Sequence, residues 1–362
     1  MRILCAKTGS SNKEEREEEM KYRVGVDIWG GDFAPQEIIK GSILAKKEIE
    51  EEIVLIGANE EIKRQIVLNK FKLEEFKIID APQKIEMADS PVSAVRKKKD
   101  SSIVVGVNLL KEKKIDAFVS CGNTGAVVSA STLILGMIEG IERPGIGIII
   151  PTQKDLSLVI DVGANIGSRP LHLLQYGIMA SVYYSLVFNK ENPTIGLLNI
   201  GEEESKGPES VKYVHKIFSL SSLNFIGYIE AKDIFSGRCN CIICDGFIGN
   251  IALKVSESFA EFMRKSLLET VKKDTLGKLG IFLIKRSFKK LKRITDYTEY
   301  GGAPLLGVNG IVIIGHGRSN AYAVKNAIKV AIQELNRDLN VQIKRRVNEI
   351  CQNSRIRQIL TS

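Results

Sequence analysis

Short apolar runs recur along the chain, and each one ends in a polar residue or glycine before a helical pattern begins. A run of this kind fits a buried strand, and apolar positions at a period of 3.6 fit the helix that follows. The runs and the residues that close them are 23–26 before Asp27, 53–56 before Gly57, 117–120 before Cys121, 156–160 before Asp161, 194–198 before Asn199, 241–244 before Asp245, and 311–314 before Gly315. Strands that alternate with helices predict a largely parallel sheet covered on both faces.

The turns that close these runs combine glycine with Asp, Asn or His. At such a turn the next helix offers unpaired N–H groups and its positive dipole end to an anion, and glycine lets the backbone approach closely. Ligands bind such sheets at the carboxyl ends of the strands. One such turn is ordinary packing, whereas several along one rim, together with a lysine, predict a site for a phosphate ion.

Several common classes of protein are excluded by missing motifs. The chain has no G-x-x-x-x-G-K-[ST], no G-x-G-x-x-G after its first strand, no G-x-S-x-G and no H-E-x-x-H. These absences argue against P-loop nucleotide binding, NAD binding, a serine-hydrolase elbow and a metalloprotease site. Cys239, Cys241 and Cys244 have metal-like spacing but lie in a run that predicts a buried strand. We therefore expect no metal and no cofactor.

The domain organisation follows from composition along the 362 residues. Residues 1–20 are strongly charged and predict a disordered extension, 21–335 predict the α/β domain, and 336–362 predict a polar terminal helix and tail outside the core. No apolar run approaches the roughly 20 residues of a membrane span, and no secretory signal is evident. With no secretory cysteine pattern, the expected location is the cytoplasm.

The net charge of +9 favours an acidic partner. Nucleic acid is not expected, because the chain has one Trp and few aromatic residues near its basic clusters. The segment 275–295 places apolar and basic residues on opposite arcs of a helix, with no acid on the basic arc. That pattern is typical of a helix lying in an anionic membrane interface, although a surface helix packed on the core is an alternative. The expected membrane contacts are Leu279, Leu283, Ile284, Phe288 and Leu291.

Seven motifs together resemble the PlsX family of phosphate acyltransferases. They are 27–35 (DIWGGDFAP), 120–126 (SCGNTGA), 161–165 (DVGAN), 197–207 (LLNIGEEESKG), 245–250 (DGFIGN), 300–303 (YGGA) and 316–317 (HG). They run in order and at the expected spacing over about 22–335. The chain departs from the family pattern at Ile248, where many members carry Thr, and at Gly167, where Asp is frequent; Phe33 is His in some members.

The resemblance implies a three-layer α/β/α sandwich, similar to phosphotransacetylases and to isocitrate and isopropylmalate dehydrogenases, and usually a homodimer. It implies transfer of a fatty acyl group from acyl carrier protein to inorganic phosphate. The acyl phosphate would feed a membrane glycerol-3-phosphate acyltransferase of the PlsY type, in phospholipid synthesis. A protruding helical segment at about 262–296 would bring the cytoplasmic enzyme to the membrane.

The resemblance also assigns site residues. Lys206 is the expected main cation, with a solvated loop lysine as the alternative. His316 would donate to the carbonyl oxygen or the leaving sulfur. Asn123 would donate to phosphate or the carbonyl, or cap a helix, and both can hold at once. Residues expected to bind phosphate or substrate are Asp27, Gly30, Gly31, Asp32, Gly122, Thr124, Gly125, Asp161, Asn165, Asn199, Gly201, Gly207, Asp245, Gly246, Asn250, Gly301 and Gly302. Four aspartates cannot all touch one anion, so some must orient neighbours or cap helices.

Acyl carrier protein is acidic, so a basic docking patch is expected. The cluster Arg96, Lys97 and Lys98 is the candidate, and a solvated charged face is the alternative. Two other functions compete with this reading of the chain. A phosphotransacetylase-like enzyme would use acyl-CoA, and a non-enzymatic basic protein would bind nucleic acid or membrane but would leave the glycine-rich turns unexplained.

Overall fold

The structure, a computed structural model, describes residues 21–273 and 301–351, together with Ile356 and Gln358. Its strands are β1 (Arg23–Asp27), β2 (Glu52–Gly57), β3 (Lys77–Asp80), β4 (Ala117–Ser120), β5 (Gly145–Pro151), β6 (Leu156–Ile160), β7 (Ile195–Leu198), β8 (Phe225–Ile229), β9 (Cys241–Ile243), β10 (Ala303–Leu306) and β11 (Ile311–Ile314). They form one sheet in the order β3-β2-β1-β4-β11-β10-β5-β6-β9-β7-β8. Every apolar run identified above as a strand is a strand of this sheet.

Helices cover both faces of the sheet. They are α1 (Gln36–Lys46), α2 (Asn59–Leu68), α3 (Pro91–Lys97), α4 (Ser102–Lys111), α5 (Thr124–Ala130), α6 (Pro170–Phe188), α7 (Glu209–Leu220), α8 (Gly246–Lys273), α9 (Ala321–Leu335) and α10 (Leu339–Cys351). Alternate residues of one strand enter different cores: Ile53 and Leu55 pack in one cluster, Val54 and Ile56 in the other. The three-layer α/β/α sandwich is therefore confirmed.

Two antiparallel strands divide the sheet into halves of opposite direction. β10 runs antiparallel to both β11 and β5, and β5 runs antiparallel to β6, while the remaining pairs are parallel. The carboxyl ends of β1, β4 and β11 therefore lie on one side of the sheet, at the ends of the strands. This side is called the first edge here, as distinct from the outermost strands β3 and β8. The carboxyl ends of β6, β7 and β9 lie at the opposite, second edge. The expectation that all glycine-rich turns share one rim is wrong for this reason.

Helix α8 connects the two edges. It begins at the second edge, where a Cβ atom on Gly246 would lie 2.5 Å from an Asp161 carboxylate oxygen. Its residue Glu257 reaches His316 at the first edge, about 16 Å further along the helix axis. From 258 to 270 every residue except Ser266 is exposed, so this part of α8 stands clear of the core.

The C-terminal segment is part of the core. Helix α10 buries Leu339, Ile343, Val347 and Ile350 in the same cluster as the central strands. These residues are spaced as one helical face, which the abundant charges of 336–362 conceal. The expectation that this segment lies outside the core is wrong.

One helix in the described part of the chain, α6, is long and apolar enough to cross a membrane by length and composition alone. In the structure 67% of its most apolar window is buried, as in a core helix. The predicted extension at 1–20 lies outside the described residues, and so do the predicted membrane contacts Leu279, Leu283, Ile284, Phe288 and Leu291.

Candidate active site

Three loops meet at the first edge, those that follow β1, β4 and β11. The amide of Asp32 donates to the carbonyl oxygen of Gly317 at 2.7 Å, which joins the first loop to the last. Gly30 lies against the middle loop, where an added Cβ atom would come within 2.6 Å of the Gly122 nitrogen and 2.8 Å of the Cys121 nitrogen. Only glycine permits this approach. The loops 28–35, 121–125 and 315–320 therefore form one continuous surface, called the first-edge site here.

Asp27 supports this surface from behind. Its side chain is 1% exposed and accepts hydrogen bonds from the Trp29 amide at 3.0 Å and the Ser120 hydroxyl at 2.7 Å. The same Ser120 oxygen accepts the Gly122 amide at 3.1 Å. Burial raises the pKa of Asp27, and the hydrogen bonds from Ser102, Ser120 and Trp29 oppose that rise. Asp27 thus positions the glycine loops, and its contact with an anion stays a prediction that its burial does not favour.

Asn123 is likewise fully occupied by the fold. Its side-chain amide nitrogen donates to three carbonyl oxygens, those of Glu86, Met87 and Asp89, at 3.1–3.2 Å. Its side-chain oxygen accepts the Ala126 amide at 3.0 Å, so Asn123 caps α5. These bonds use its donor and acceptor capacity. The capping interpretation is confirmed, and donation to substrate by Asn123 stays a prediction that its side-chain amide, already bound to three carbonyl oxygens, does not favour.

The accessible groups of the site are fewer than the predicted ones. The predicted residues that the structure places at the first edge are Asp27, Gly30, Gly31, Asp32, Gly122, Asn123, Thr124, Gly125 and His316. Asp32 and Thr124 are exposed and His316 is partly exposed. Gly301 and Gly302 lie near this edge but pack against α9 and β11, close to the carbonyl oxygens of Asn326 and Ile314.

His316 presents one ring nitrogen to a carboxylate from α8. Its Nδ1 accepts the Arg318 amide at 3.0 Å, so the neutral ring carries its proton on Nε2. Nε2 lies 3.7 Å from Glu257 Oε1. Burial lowers the pKa of His316; Glu257 and Asp32 raise it, whereas Lys254 and Arg318 lower it. The net lowering favours the neutral imidazole at physiological pH, with Nε2–H as a hydrogen-bond donor.

The predicted residues after β6 and β9 lie at the second edge, where their polar groups hold loops together. Asp161 is 0% exposed. Its carboxylate accepts the backbone amides of Ile146, Gly163, Ala164 and Asn165. Burial raises its pKa and these amide bonds oppose the rise. Asp161 therefore builds the loop, and its predicted contact with a ligand is not favoured by these bonds.

Asp245 and Asn165, also predicted to bind substrate, likewise hold the loops at the second edge together. Asp245 accepts the Ser168 amide at 2.6 Å and the Phe247 amide at 2.8 Å, which ties the start of α8 to the preceding loop. Asn165 donates to the Tyr176 hydroxyl at 2.9 Å. Asn250 is exposed beside Gly163, and Gly246 packs against Asp161.

Lys206 also lies at the second edge, in the loop after β7. Asn199 holds this loop by donating to the carbonyl oxygens of Gly201 and Lys206, at 3.2 and 3.1 Å, and Gly207 turns it with φ of 87°. β7 is five strand positions from β11, about 24 Å along the sheet. Within one chain Lys206 and His316 are therefore not brought together.

Two features of the first-edge site carry no signal in the sequence. Glu257 is an ordinary helical glutamate there, and only the path of α8 brings it to His316. Lys98 donates to Asp89 at 2.6 Å and to the Lys84 carbonyl at 2.9 Å. It holds the segment that Asn123 also binds, so it is not free for docking, unlike the exposed Arg96 and Lys97.

The cysteines and acids offer no metal site among residues 21–273 and 301–351, where no group of three or more His, Cys, Asp or Glu side chains is placed to hold an ion. Cys239, Cys241 and Cys244 are buried and free. Their spacing therefore results from strand packing around β9.

Most of the chain matches one known family. Residues 22–342 match the family model described as fatty acid synthesis protein. The chain is 44% identical over 330 residues to the phosphate acyltransferase of Halothermothrix orenii, covering 90% of this chain and 99% of that one. It is 43% identical over 324 residues to the phosphate acyltransferase of Aquifex aeolicus, covering 89% and 95%.

Solved structures show the same fold at low sequence identity. A phosphotransacetylase from Streptococcus pyogenes matches with a TM-score of 0.60 at 17% identity, covering 87% of this chain and 94% of that one. The EutD phosphotransacetylase from Staphylococcus aureus matches with a TM-score of 0.55 at 14% identity, covering 87% and 94%. Together with the family match, the chain belongs to the phosphate acyltransferases of the fatty acid synthesis protein family and is an acyltransferase.

Proposed function

We propose that this protein transfers a fatty acyl group from the thioester of acyl carrier protein to inorganic phosphate. A phosphate oxygen attacks the carbonyl carbon, the carbon–sulfur bond breaks, and the proton of hydrogen phosphate ends on the released thiol. The observation that carries the proposal is the imidazole of His316 beside glycine-rich main chain at the first edge, in a member of this family.

The chemistry asks for positioning more than for strong acid–base catalysis. Phosphate is already an oxyanion nucleophile at neutral pH, and a thiol with a pKa of about 8.5 leaves readily. Holding the two reactants together is worth roughly 7–11 kcal/mol, and one oxyanion donor about 2.7–4 kcal/mol. In our proposal Nε2–H of His316 donates to the carbonyl oxygen as negative charge develops there.

A homodimer is part of the proposal. The exposed part of α8 carries Phe259, Phe262, Met263 and Leu267, and large apolar side chains grouped in this way favour a second copy as the partner. Lys206 remains a predicted catalytic cation. Because it is distant from His316 within one chain, that role requires a neighbouring chain to supply it.

Acyl carrier protein is proposed to dock beside the first-edge site. Pro91, at the start of α3, lies against Gly125, and Arg96 and Lys97 are exposed at the other end of this short helix. The helix spans about 9 Å. A basic patch at that distance suits an acidic carrier whose thioester enters the site.

The product is proposed to pass to a membrane glycerol-3-phosphate acyltransferase for phospholipid synthesis. An acyl phosphate with a long chain favours a peripheral position on the cytoplasmic face of the membrane. The basic amphipathic pattern of 275–295 supports that location on sequence grounds.

The direct test is incubation of the purified protein with long-chain acyl carrier protein and labelled phosphate. We expect an acyl phosphate that hydroxylamine converts to the hydroxamate. The same assay with acyl-CoA separates this proposal from a phosphotransacetylase-like activity, since preference for acyl-CoA would support the latter. Absence of phosphate-dependent thioester loss with both donors would refute acyl transfer altogether.

A further inference from the structure

Glu257 brings a second carboxylate to the first-edge site. It extends from the middle of α8, with a side chain 33% exposed, and its Oε1 atom lies 3.7 Å from Nε2 of His316. That separation is longer than a hydrogen bond. Its other oxygen accepts the ammonium group of Lys254 at 3.1 Å. Glu257 is therefore held in place by its own helix while it faces the imidazole.

The charges around His316 are unusually mixed for an anion site. Asp32 in the β1 loop, Glu257 and Lys254 on α8, and Arg318 in the loop of His316 all act electrostatically on the ring, and Glu257 is the one whose distance to it is 3.7 Å. A fully deprotonated anion that lies directly against the Glu257 carboxylate is repelled by it. An anion that still carries a proton can instead donate that proton to a carboxylate oxygen in a charge-assisted hydrogen bond.

Phosphate and sulfate differ in this property. Near neutral pH phosphate carries one or two protons, whereas sulfate has the same tetrahedral shape and carries none. A carboxylate acceptor therefore binds the first and repels the second. An imidazole donor and backbone amides alone would bind both phosphate and sulfate, because the two anions accept hydrogen bonds equally well.

We infer that Glu257 is a specificity-determining residue that accepts a hydrogen bond from the protonated oxygen of phosphate and thereby excludes sulfate. The inference rests on the proposed acyl transfer to phosphate at the first-edge site. His316 contacts the same ion, or the carbonyl it attacks, through Nε2, which lies beside Glu257 Oε1 at 3.7 Å, so that two oxygens of one tetrahedral ion can reach the two groups. No proton leaves phosphate at this stage; Glu257 only orients it.

The test compares Glu257→Gln with the wild type in the acyl phosphate assay, with inorganic sulfate as competitor. A glutamine side chain offers an N–H donor to sulfate and has no negative charge. We expect the ratio of the sulfate inhibition constant to the phosphate KM to fall by about tenfold or more, the scale of one lost charge-assisted hydrogen bond. Glu269→Gln, the same change further along α8, should leave the ratio unaltered.

The outcomes separate the inference from the proposed function. A wild-type protein without phosphate-dependent turnover refutes the proposed function. An active wild type whose ratio is unchanged in Glu257→Gln, or is changed equally in Glu269→Gln, overturns the role of Glu257. If Glu257→Gln is folded but inactive, calorimetric titration with inorganic phosphate and with sulfate measures the ratio of the two dissociation constants directly. A preference for phosphate as strong as that of the wild type overturns the inference.

Discussion

At the scale of single residues, Asn123 separates a structural from a catalytic role. Asn123→Ala removes the cap of α5 and leaves three carbonyl oxygens of 86–89 without their shared donor. We expect the free energy of unfolding to fall by about 1–2 kcal/mol, together with turnover, because the segment that borders the site loosens. Thermal denaturation and steady-state kinetics measure both.

Asn123→Asp is the matched control for this residue. It keeps the oxygen that accepts the Ala126 amide but loses the donor and adds a charge near the three carbonyl groups. We expect it to retain the helix cap and still weaken the 86–89 segment. An Asn123→Ala protein of unchanged stability that has lost turnover would instead restore the catalytic interpretation.

Glu334 on α9 is a second residue with a measurable consequence. It is 3% exposed, and one carboxyl oxygen has no hydrogen-bond partner among the described residues. Burial raises its pKa well above the ordinary value. The folded state thus binds a proton that the unfolded chain releases at about pH 4.3, so stability falls as the pH rises above that value.

Replacing this carboxyl group should remove the penalty. We expect Glu334→Met to be more stable than the wild type by about 1–3 kcal/mol near pH 7.5, with the difference shrinking towards pH 4. Guanidinium denaturation of both proteins across this range measures it. A difference that stays constant with pH would show that the folded protein does not hold Glu334 protonated.

The residue roles illustrate where sequence reasoning ends. The sequence correctly predicted glycine-rich loops at the ends of β1 and β4, because glycine and helix starts are local features; that these loops bind an anion stays a prediction. Whether Asp27 or Asn123 faces the ligand depends on partners far away, such as Ser120 and Met87. The sequence shows that a polar group is present, but not which partners it hydrogen-bonds in the folded chain.

At the scale of elements, the exposed stripe of α8 makes a prediction about association. Phe259 is 62% exposed, and adjacent residues on a helix point about 100° apart. Phe259→Glu should disrupt a dimer formed through the apolar stripe by about 2 kcal/mol or more, whereas Arg264→Glu also introduces a carboxylate, but about 140° away from Phe259 around the helix, and should disrupt it less. Sedimentation equilibrium measures both; a monomeric wild type, or equal dissociation constants for the two variants, contradicts the proposal.

The sequence identified seven of the strands but gave no direction for any of them. Apolar runs identify strands, but a run carries no information on which way its strand points. The missed strands β5 and β10 reverse the sheet, and β5 pairs with β6 through residues as far apart as Gly147 and Ile160. For the same reason α8 could not be foreseen as the element that links both edges.

At the scale of the whole molecule, the sheet reversal separates the predicted catalytic residues into two groups. His316 and the glycine loops lie at the first edge, and Lys206 with the second set of turns lies at the other. A single subunit therefore supplies either group to one ligand, never both. If Lys206 is catalytic, mixing an inactive Lys206→Met chain with an inactive His316→Gln chain should restore activity. If each chain instead contains a complete site of its own, the mixture should stay inactive.

Strands β10 and β11 are the last in sequence among the described residues, yet they occupy the centre of the sheet, between β4 and β5. Until residues 303–314 have been made, β4 and β5 each lack one neighbouring strand. The nascent chain then holds two separate sheets, each with an unpaired outermost strand. Open edges of this kind recruit other strands. A chain truncated just before Ala303 should therefore be prone to aggregation rather than partly active, and the two halves of the sheet can join only after residues 303–314 have been made.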